Sequence, residues 1–225
     1  MQPTNHPGVY TKNDRLFTRN PEACRGVRVY NEQLITEDGF EYRSWNPFRS
    51  KLAAALLKGL TVPLQNDSEI LYLGAATGTT VSHLSDIITD GTVFAVESSP
   101  VALTGLLHIS KERTNIIPIL ADANHPERYQ QLVPPVDLIY QDISQRNQAD
   151  ILARNIHAYL TPQGTALLMV KARSIDVALK PKEAYGLVAT ALKQQRFVIN
   201  KIVDLAPYEK DHAAILVTQP PLVKS

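Results

Sequence analysis

The sequence predicts an α/β fold in two parts: a small β-rich segment over residues 1–46, then a mostly parallel sheet with helices on both faces over residues 47–225. Three observations lead there. From residue 47 onward, apolar strand-like runs alternate with helical patterns, the rhythm of strand–helix–strand units. The stretch LYLGAATGTTVSHLSD, residues 71–86, sets a buried-strand run against a loop of small residues that opens into a helical pattern. Before residue 46 the rhythm is that of paired strands instead.

In RVYNEQLITEDGFEYRSW, residues 28–45, Asp38-Gly39 stands where a tight hairpin turn needs residues tolerant of positive φ. Leu52, Leu56 and Leu60 then recur at helical spacing. EILYLG reads as a buried strand, AATGTT as a turn and VSHLSDII as a helix with Val81, Leu84 and Ile88 facing inward. TVFAVE is the next strand, and Ser99-Pro100 after it has the form of an N-cap followed by proline at the first helical position. The strands NIIPILAD, VDLIYQD and TALLMVK continue the alternation, and FVINKIVDL with AAILVTQ closes it. Such near-continuous apolar runs belong to strands covered on both faces.

Composition narrows the classes. The chain has 225 residues, 44% of them hydrophobic, enough to bury a substantial core. Its longest apolar runs, such as Ala53–Leu57 and Ala213–Val217, fall far short of the roughly 20 residues that cross a bilayer. The opening MQPTNHPG lacks the apolar segment of a signal peptide, so a cytoplasmic protein without membrane association is expected. A single cysteine, Cys24, excludes an internal disulfide framework and a Cys-based zinc site, and no metal is expected. Net charge is only +1, yet residues 161–201 hold seven Lys or Arg against two acids, a local +5 that the remainder offsets with −4. Such a run is either a solvated face or an anion-binding one.

The small-residue loop invites a ligand, because in open α/β sheets ligands sit beyond the carboxyl ends of the strands. No Lys follows Gly78, which argues against a nucleotide-triphosphate loop, and Gly74-Ala-Ala-Thr-Gly78 lacks the dinucleotide spacing. A glycine turn without a ligand is the alternative. The strand ends favour a ligand, since three successive runs end in an acid. Glu97 lies 23 residues past Gly74, a spacing suited to a carboxylate accepting from ribose hydroxyls. Asp122 is placed to accept from an adenine amino group, and Asp142 ends the third run. An adenosine-bearing ligand without a bound pyrophosphate points to S-adenosyl-L-methionine.

YRSWNPFRSKLAAAL, LYLGAATGTTVSHLSDI, VFAVESS, YQDISQ, LMVKARSID and PYEKDHAAILV, spread almost end to end, resemble the fibrillarin family. Its members are RNA 2′-O-methyltransferases guided by box C/D RNAs. No Gly/Arg-rich tract precedes the β-rich part, so the archaeal rRNA/tRNA form is the nearer likeness. Ser98 stands where an aromatic often follows the acid, and Ser144 where alanine is usual. The resemblance implies a Rossmann-like methyltransferase sheet and a cofactor site at Thr79, Thr80, Glu97, Ser98, Asp122, Ala123 and the run Asp142, Ile143, Ser144 and Gln145. Gly74 and Ala75 complete the expected cradle. It further implies a catalytic set at Lys51, Asp142 and Lys171, with His212 the candidate for a fourth member. A lone His before a strand is otherwise an ordinary capping or packing residue.

Those residue types suit the chemistry. A ribose hydroxyl is a poor nucleophile while protonated, so a neighbouring group must take its proton or stabilise the alkoxide. Two lysines flanking an aspartate offer both, with Asp142 orienting the ammonium groups. Positive charge is expected on either side of that site, from Arg43 and Arg49 on one hand and Arg173, Lys180 and Lys182 on the other, to hold RNA phosphates. No aromatic-rich motif accompanies these cations, so backbone and shape would be read. By the resemblance, sequence choice falls to a box C/D guide RNA paired with target rRNA or tRNA, assembled with a Nop-domain scaffold protein and a kink-turn-binding, ribosomal-protein-like subunit. Two other classes remain at this point: a small-molecule methyltransferase of the same fold, and a structural subunit without catalysis.

Overall fold

Seven apolar runs pair into one twisted sheet in the computed structural model, which describes residues 1–221. Five strands of the N-terminal segment make a second sheet: β1 Gln2–Pro3, β2 Val9–Lys12, β3 Arg15–Arg19, β4 Leu34–Glu37 and β5 Phe40–Trp45, in the order β1-β2-β3-β5-β4 and all antiparallel. β4 and β5 turn through Asp38-Gly39, both at positive φ (52° and 82°), as that dipeptide predicts.

The larger sheet comprises β6 Glu69–Leu73, β7 Thr92–Glu97, β8 Ile116–Leu120, β9 Val136–Gln141, β10 Leu160–Lys171, β11 Val198–Asp204 and β12 His212–Thr218. Its order is β11-β12-β10-β9-β6-β7-β8, with β10, β9, β6, β7 and β8 parallel and the β11-β12 hairpin antiparallel at one edge. The chain winds outward from β6 through β7 to β8, then returns to lay β9 on the other side of β6. That reversal opens a crevice between the carboxyl ends of β6 and β9.

Helices α1 Lys51–Leu57, α2 Thr79–Ile87 and α3 Pro100–Ser110 share one apolar layer, which holds Leu52, Val81, Leu84, Leu106 and the inward residues Ile70, Tyr72, Tyr140 and Met169. Val9, Leu16 and Trp45 of the N-terminal sheet belong to this layer. The opposite layer is built by α4 Gln148–Tyr159 and α6 Pro181–Gln194, with Ile151, Leu152, Val188 and Leu192 on Leu71, Ile139 and Leu168. Alternation along each central strand divides its apolar side chains between the two layers, which accounts for unbroken hydrophobic runs. A single turn, α5 Ala172–Ile175, links β10 to the segment before α6.

Capping side chains are in place at two helix starts. Ser99 caps α3 by accepting from the Ala102 N–H at 3.3 Å, with Pro100 in the first turn. Ser50 caps α1. The first helix is shorter than the Leu52, Leu56, Leu60 spacing predicts: it ends at Leu57, and Gly59 at φ +78° turns the chain so that Leu60 is buried from a non-helical segment. Residues 28–33, expected to continue the first strand pair, form bends instead, because Glu32 turns inward and accepts from the Val29 and Tyr30 N–H groups. Among the described residues no helix is long and apolar enough to cross a membrane.

α2 is buried on all sides from Thr80 to Ile87. Val81, Leu84 and the following Ile88 join the apolar layer, Ile87 packs against Gly8 of the N-terminal segment, and the polar side meets the N-terminal sheet. There Asp86 accepts from Arg43 at 2.6 Å, Arg113 at 3.2 Å and the Thr18 hydroxyl at 2.7 Å. Thr18 has spent its one proton on Asp86, so its oxygen accepts from His83 Nδ1 at 2.7 Å; His83 Nε2 then lies 2.6 Å from the Tyr30 hydroxyl, whose single proton it shares with the Ser44 carbonyl at 3.0 Å. Burial, reinforced by Arg43 and Arg113, holds His83 well below its ordinary pKa and therefore neutral.

Candidate active site

The crevice between β6 and β9 is closed by backbone. The Asp142 N–H donates to the Leu73 carbonyl at 2.9 Å, while Gly74 and Ala75 both donate to the Val96 carbonyl, at 3.0 and 3.1 Å. Gly74 sits at φ +82°, and a Cβ there would lie 2.5 Å from the Asp142 carbonyl oxygen. Only glycine lets the two strand ends approach so closely.

Over this junction opens a cleft of about 230 Å³, lined in part by Gly74, Glu97, Ser98, Asp122, Asp142 and Gln145. Glu97 Oε2 accepts from the Ala76 N–H and Oε1 from the Ser99 N–H, each at 2.8 Å. Each oxygen thus keeps a lone pair without a donor among the described residues. Asp122 uses Oδ1 alone, accepting from the backbone N–H and the side-chain amide of Asn124, both at 2.9 Å. Those bonds hold its carboxyl below the usual range, and its Oδ2 has no partner among the described residues. Spare carboxylate lone pairs in a cleft floored by backbone suit a ligand rich in hydroxyl and amino donors.

Of the cofactor residues expected from the sequence, Gly74, Glu97, Ser98, Asp122, Ala123, Asp142, Ile143 and Gln145 line this cleft. Ala75 is buried behind the loop, and Thr79 faces a neighbouring concavity. Thr80 is buried with its hydroxyl 3.0 Å from that of Ser50, a contact that ties the starts of α1 and α2 together. Ser144 is exposed beside the cleft and does not line it. Ala76, Val96 and Ala121 line it and were missed. Small side chains leave no chemical signature, although the AATG run hinted at Ala76.

The four candidate catalytic residues gather on one sheet face. Tyr140 pairs with Leu167 and Tyr72, and Met169 pairs with Ala214, all within the layer that α1 covers. Two residues further along each strand, alternation carries Asp142, Lys171 and His212 to that same face. Lys171 and His212 are direct partners across the ladder. Lys51, first residue of α1, reaches Asp142 with Nζ 2.8 Å from both carboxylate oxygens, the two side chains being 20% and 22% exposed. Only Lys51 of the two lysines contacts Asp142; Lys171 makes no ion pair among the described residues. His212 Nδ1 lies 2.8 Å from the Lys210 carbonyl, which can only accept, so Nδ1 carries the hydrogen and Nε2 is left free in the neutral ring. Glu209 Oε2 is 3.8 Å from the same nitrogen. Beneath Asp142, Tyr72 and Tyr140 pack with ring centroids 4.5 Å apart. Burial first, then the neighbouring charge of Asp142 for Tyr72, and Tyr72 followed by Asp142 for Tyr140, raise both phenols far enough to keep them neutral.

One expected RNA contact is corrected. Arg43 has no exposed surface: its guanidinium donates to Glu32 at 2.7 Å, Asp86 at 2.6 Å and the Ser82 hydroxyl at 3.0 Å, between the N-terminal sheet and α2. A buried, fully committed guanidinium cannot meet a phosphate. Arg49 is exposed, with its guanidinium carbon 5.1 Å from the Tyr30 ring centroid. Arg173, Lys180 and Lys182 are exposed around the turn that follows Lys171, Arg173 pairing with Asp211 at 2.9 Å. The basic run does not act as one surface, because Lys193 and Arg196 lie at the far end of α6, roughly 20 Å from Lys182 at about 1.5 Å per residue.

The sequence profile of the Fibrillarin family matches residues 1–220. A fibrillarin-like rRNA/tRNA 2′-O-methyltransferase of Methanosarcina barkeri is 49% identical over 205 residues, covering 90% of each chain. The crystal structure of Aeropyrum pernix fibrillarin, which carries natively bound S-adenosyl-L-methionine, superposes with a TM-score of 0.88 at 43% identity over 96% of this chain and 97% of that one. A fibrillarin from a fibrillarin/Nop5p complex gives 0.88 at 44% identity, over 96% and 99%. A match that runs through both sheets, at nearly half the residues, is far more than a shared topology, and the chain belongs to the fibrillarin family.

Proposed function

We propose that the chain is the catalytic subunit of a box C/D ribonucleoprotein, an S-adenosyl-L-methionine-dependent 2′-O-methyltransferase acting on riboses of rRNA, and of tRNA, that a guide RNA selects. The observation that carries this reading is the Lys51–Asp142 pair at the mouth of an acid-lined cleft, on the face that also presents Lys171 and His212. In this reading residues 47–225 carry the chemistry and residues 1–46 brace it.

Glu97 offers its free lone pairs to ribose hydroxyls of the cofactor and Asp122 Oδ2 to the adenine amino group, with Gly74, Ala76, Ser98, Ala123, Ile143 and Gln145 shaping the walls. When bound, the sulfonium supplies a methyl carbon already open to displacement. The chain must then align a 2′-hydroxyl with that carbon and manage its proton. Asp142 fixes the Lys51 ammonium at the mouth, and Lys171 brings a second positive charge to the same face, so that both stabilise the alkoxide as it develops. His212 presents an unprotonated Nε2 when neutral, the lone pair that takes the hydroxyl proton. Arg49 on one side and Arg173, Lys180 and Lys182 on the other hold flanking phosphates. Guide choice of the target requires the RNA, a Nop-domain scaffold and a kink-turn-binding subunit to hold it over the site.

The test is tritiated-methyl transfer by the reconstituted ribonucleoprotein to a matching RNA, compared with the same RNA carrying deoxyribose at the target position. Label is expected on the first and not the second. Equal labelling of both would exclude the 2′-oxygen as acceptor.

A further inference from the structure

Two concavities outside the cleft adjoin each other on the face between the N-terminal sheet and the start of α1. One, about 540 Å³, has Arg15, Trp45, Phe48 and Tyr208 among its walls. The other, about 600 Å³, reaches Thr77 and Thr79 of the small-residue loop. Both include Tyr30, Asn31 and Arg49, so they adjoin as one trough, whose far end lies between the start of α2 and Thr104, Gly105, His108 and Ile109 of α3.

Its lining is distinctive. Phe48 is 61% exposed and meets Tyr208 edge to face at 5.3 Å between centroids, an aromatic pair with one broad apolar face left to solvent. Arg49 stands against Tyr30 midway along the trough, and Arg15 lies at the end remote from the loop, donating to Gln33 at 3.1 Å. Of the two acids in the walls, Glu32 is buried and committed to Arg43, which leaves Asp14 as the exposed carboxylate against two exposed guanidinium groups. Exposed and half-buried aromatic faces beside cations are what sequence-tolerant binding of unpaired nucleotides needs: bases stack and phosphates find charge. An apolar peptide would use Phe48 but has no call for the guanidinium groups.

Resting on the reading of the chain as an RNA methyltransferase, we propose that this trough binds an unpaired stretch of RNA where it leaves the guide–target duplex, with a base stacked on Phe48 and Tyr208 and a phosphate on Arg49. The strand then runs along Tyr30 and Asn31 toward the Thr77–Thr79 loop. The aromatic groups come from three separate segments, around residues 30, 45–48 and 208, which is why no stacking motif shows in the sequence.

The experiment uses the full chain at low salt, and the assembled ribonucleoprotein, with oligoribonucleotides carrying 4-thiouridine. Photo-crosslinks mapped by mass spectrometry are expected at Phe48 or Tyr208. Phe48→Ala, at an exposed position, should weaken RNA binding in fluorescence anisotropy about tenfold, while Phe48→Trp restores it. Arg49→Gln should lower the salt dependence by about one phosphate contact. Calorimetric affinity for S-adenosyl-L-methionine should not change in any of them. Crosslinks confined to other surfaces, or unchanged affinity in Phe48→Ala, would overturn the proposal. So would a Phe48→Ala chain that keeps RNA affinity but loses a scaffold protein, which would make the trough a protein-docking surface. Failure of methyl transfer by the wild-type assembly would sink the parent reading alone, since the crosslink and affinity measurements do not depend on turnover.

Discussion

Glu97 holds its two backbone donors with one oxygen each, and that division leaves it able to bind outward without letting go inward. Glu97→Ala should therefore weaken S-adenosyl-L-methionine binding by at least tenfold in calorimetry, since each charge-assisted hydrogen bond contributes about 1.5–3 kcal/mol; unchanged affinity would remove the residue from the site. Lys171 differs, because its charge matters when the alkoxide forms. Lys171→Ala should lower the transfer rate by roughly a hundredfold or more with cofactor affinity near wild type, and a parallel loss of both would mark it as structural. Glu97, Asp122 and Asp142 were legible in the sequence because each follows an apolar run at a strand's carboxyl end, where the fold class alone locates a ligand. Arg43 was not. Its counter-charges, Glu32 and Asp86, come from a bend and from a helix 43 residues later, and nothing local announces that both close over it.

At the scale of the element, α2 concentrates what pattern reading could not reach. Val81 and Leu84 were read as its inward side, which is right, but Ser82, His83, Ser85 and Asp86 look like a solvated face and are buried. An ordinary amphipathic pattern does not reveal a second sheet lying on its polar side. The central strands were easier, because burial on both faces forces unbroken apolar runs. That polar interface makes stability depend on pH. Unfolded, His83 binds a proton near the ordinary imidazole value of about 6.5; folded, burial and the two arginines keep it neutral well below that. The unfolded state thus binds more protons as pH falls, so the stabilisation is complete above about pH 6.5 and is lost progressively below it. His6, also lowered by burial, adds in the same direction. Between pH 7.5 and 5.5 the urea midpoint should fall, with His83 contributing at most about 1.4 kcal/mol at the lower pH. A midpoint that stays constant would mean that His83 is not held neutral.

The whole molecule carries a net charge of +1, with Arg43 internal and the basic run divided between two ends of α6. Phosphate-driven affinity at physiological salt should accordingly be small. The isolated chain is expected to bind cofactor yet methylate RNA slowly and without preference, whereas the assembled complex gains a high effective concentration of site over target. Moving only the guide's pairing segment should move the methylated nucleotide with it. A purified chain that modified one defined nucleotide at full rate would contradict this. The mostly parallel character of the larger sheet was readable from the sequence because the alternation of strand and helix rests on local periodicity. The joining of the two sheets rests on contacts between distant segments and was not. That junction bears on how freely the chain can vary. A surface helix tolerates change along one stripe, repeating every three to four residues; from Thr80 to Ile87 no such stripe exists, since one side is committed to apolar packing and the other to paired charges and hydroxyls. Drift there must proceed by compensated pairs, a change in the helix matched by one in β3 or β5, so the segment that launches from the small-residue loop is also among the least free to wander.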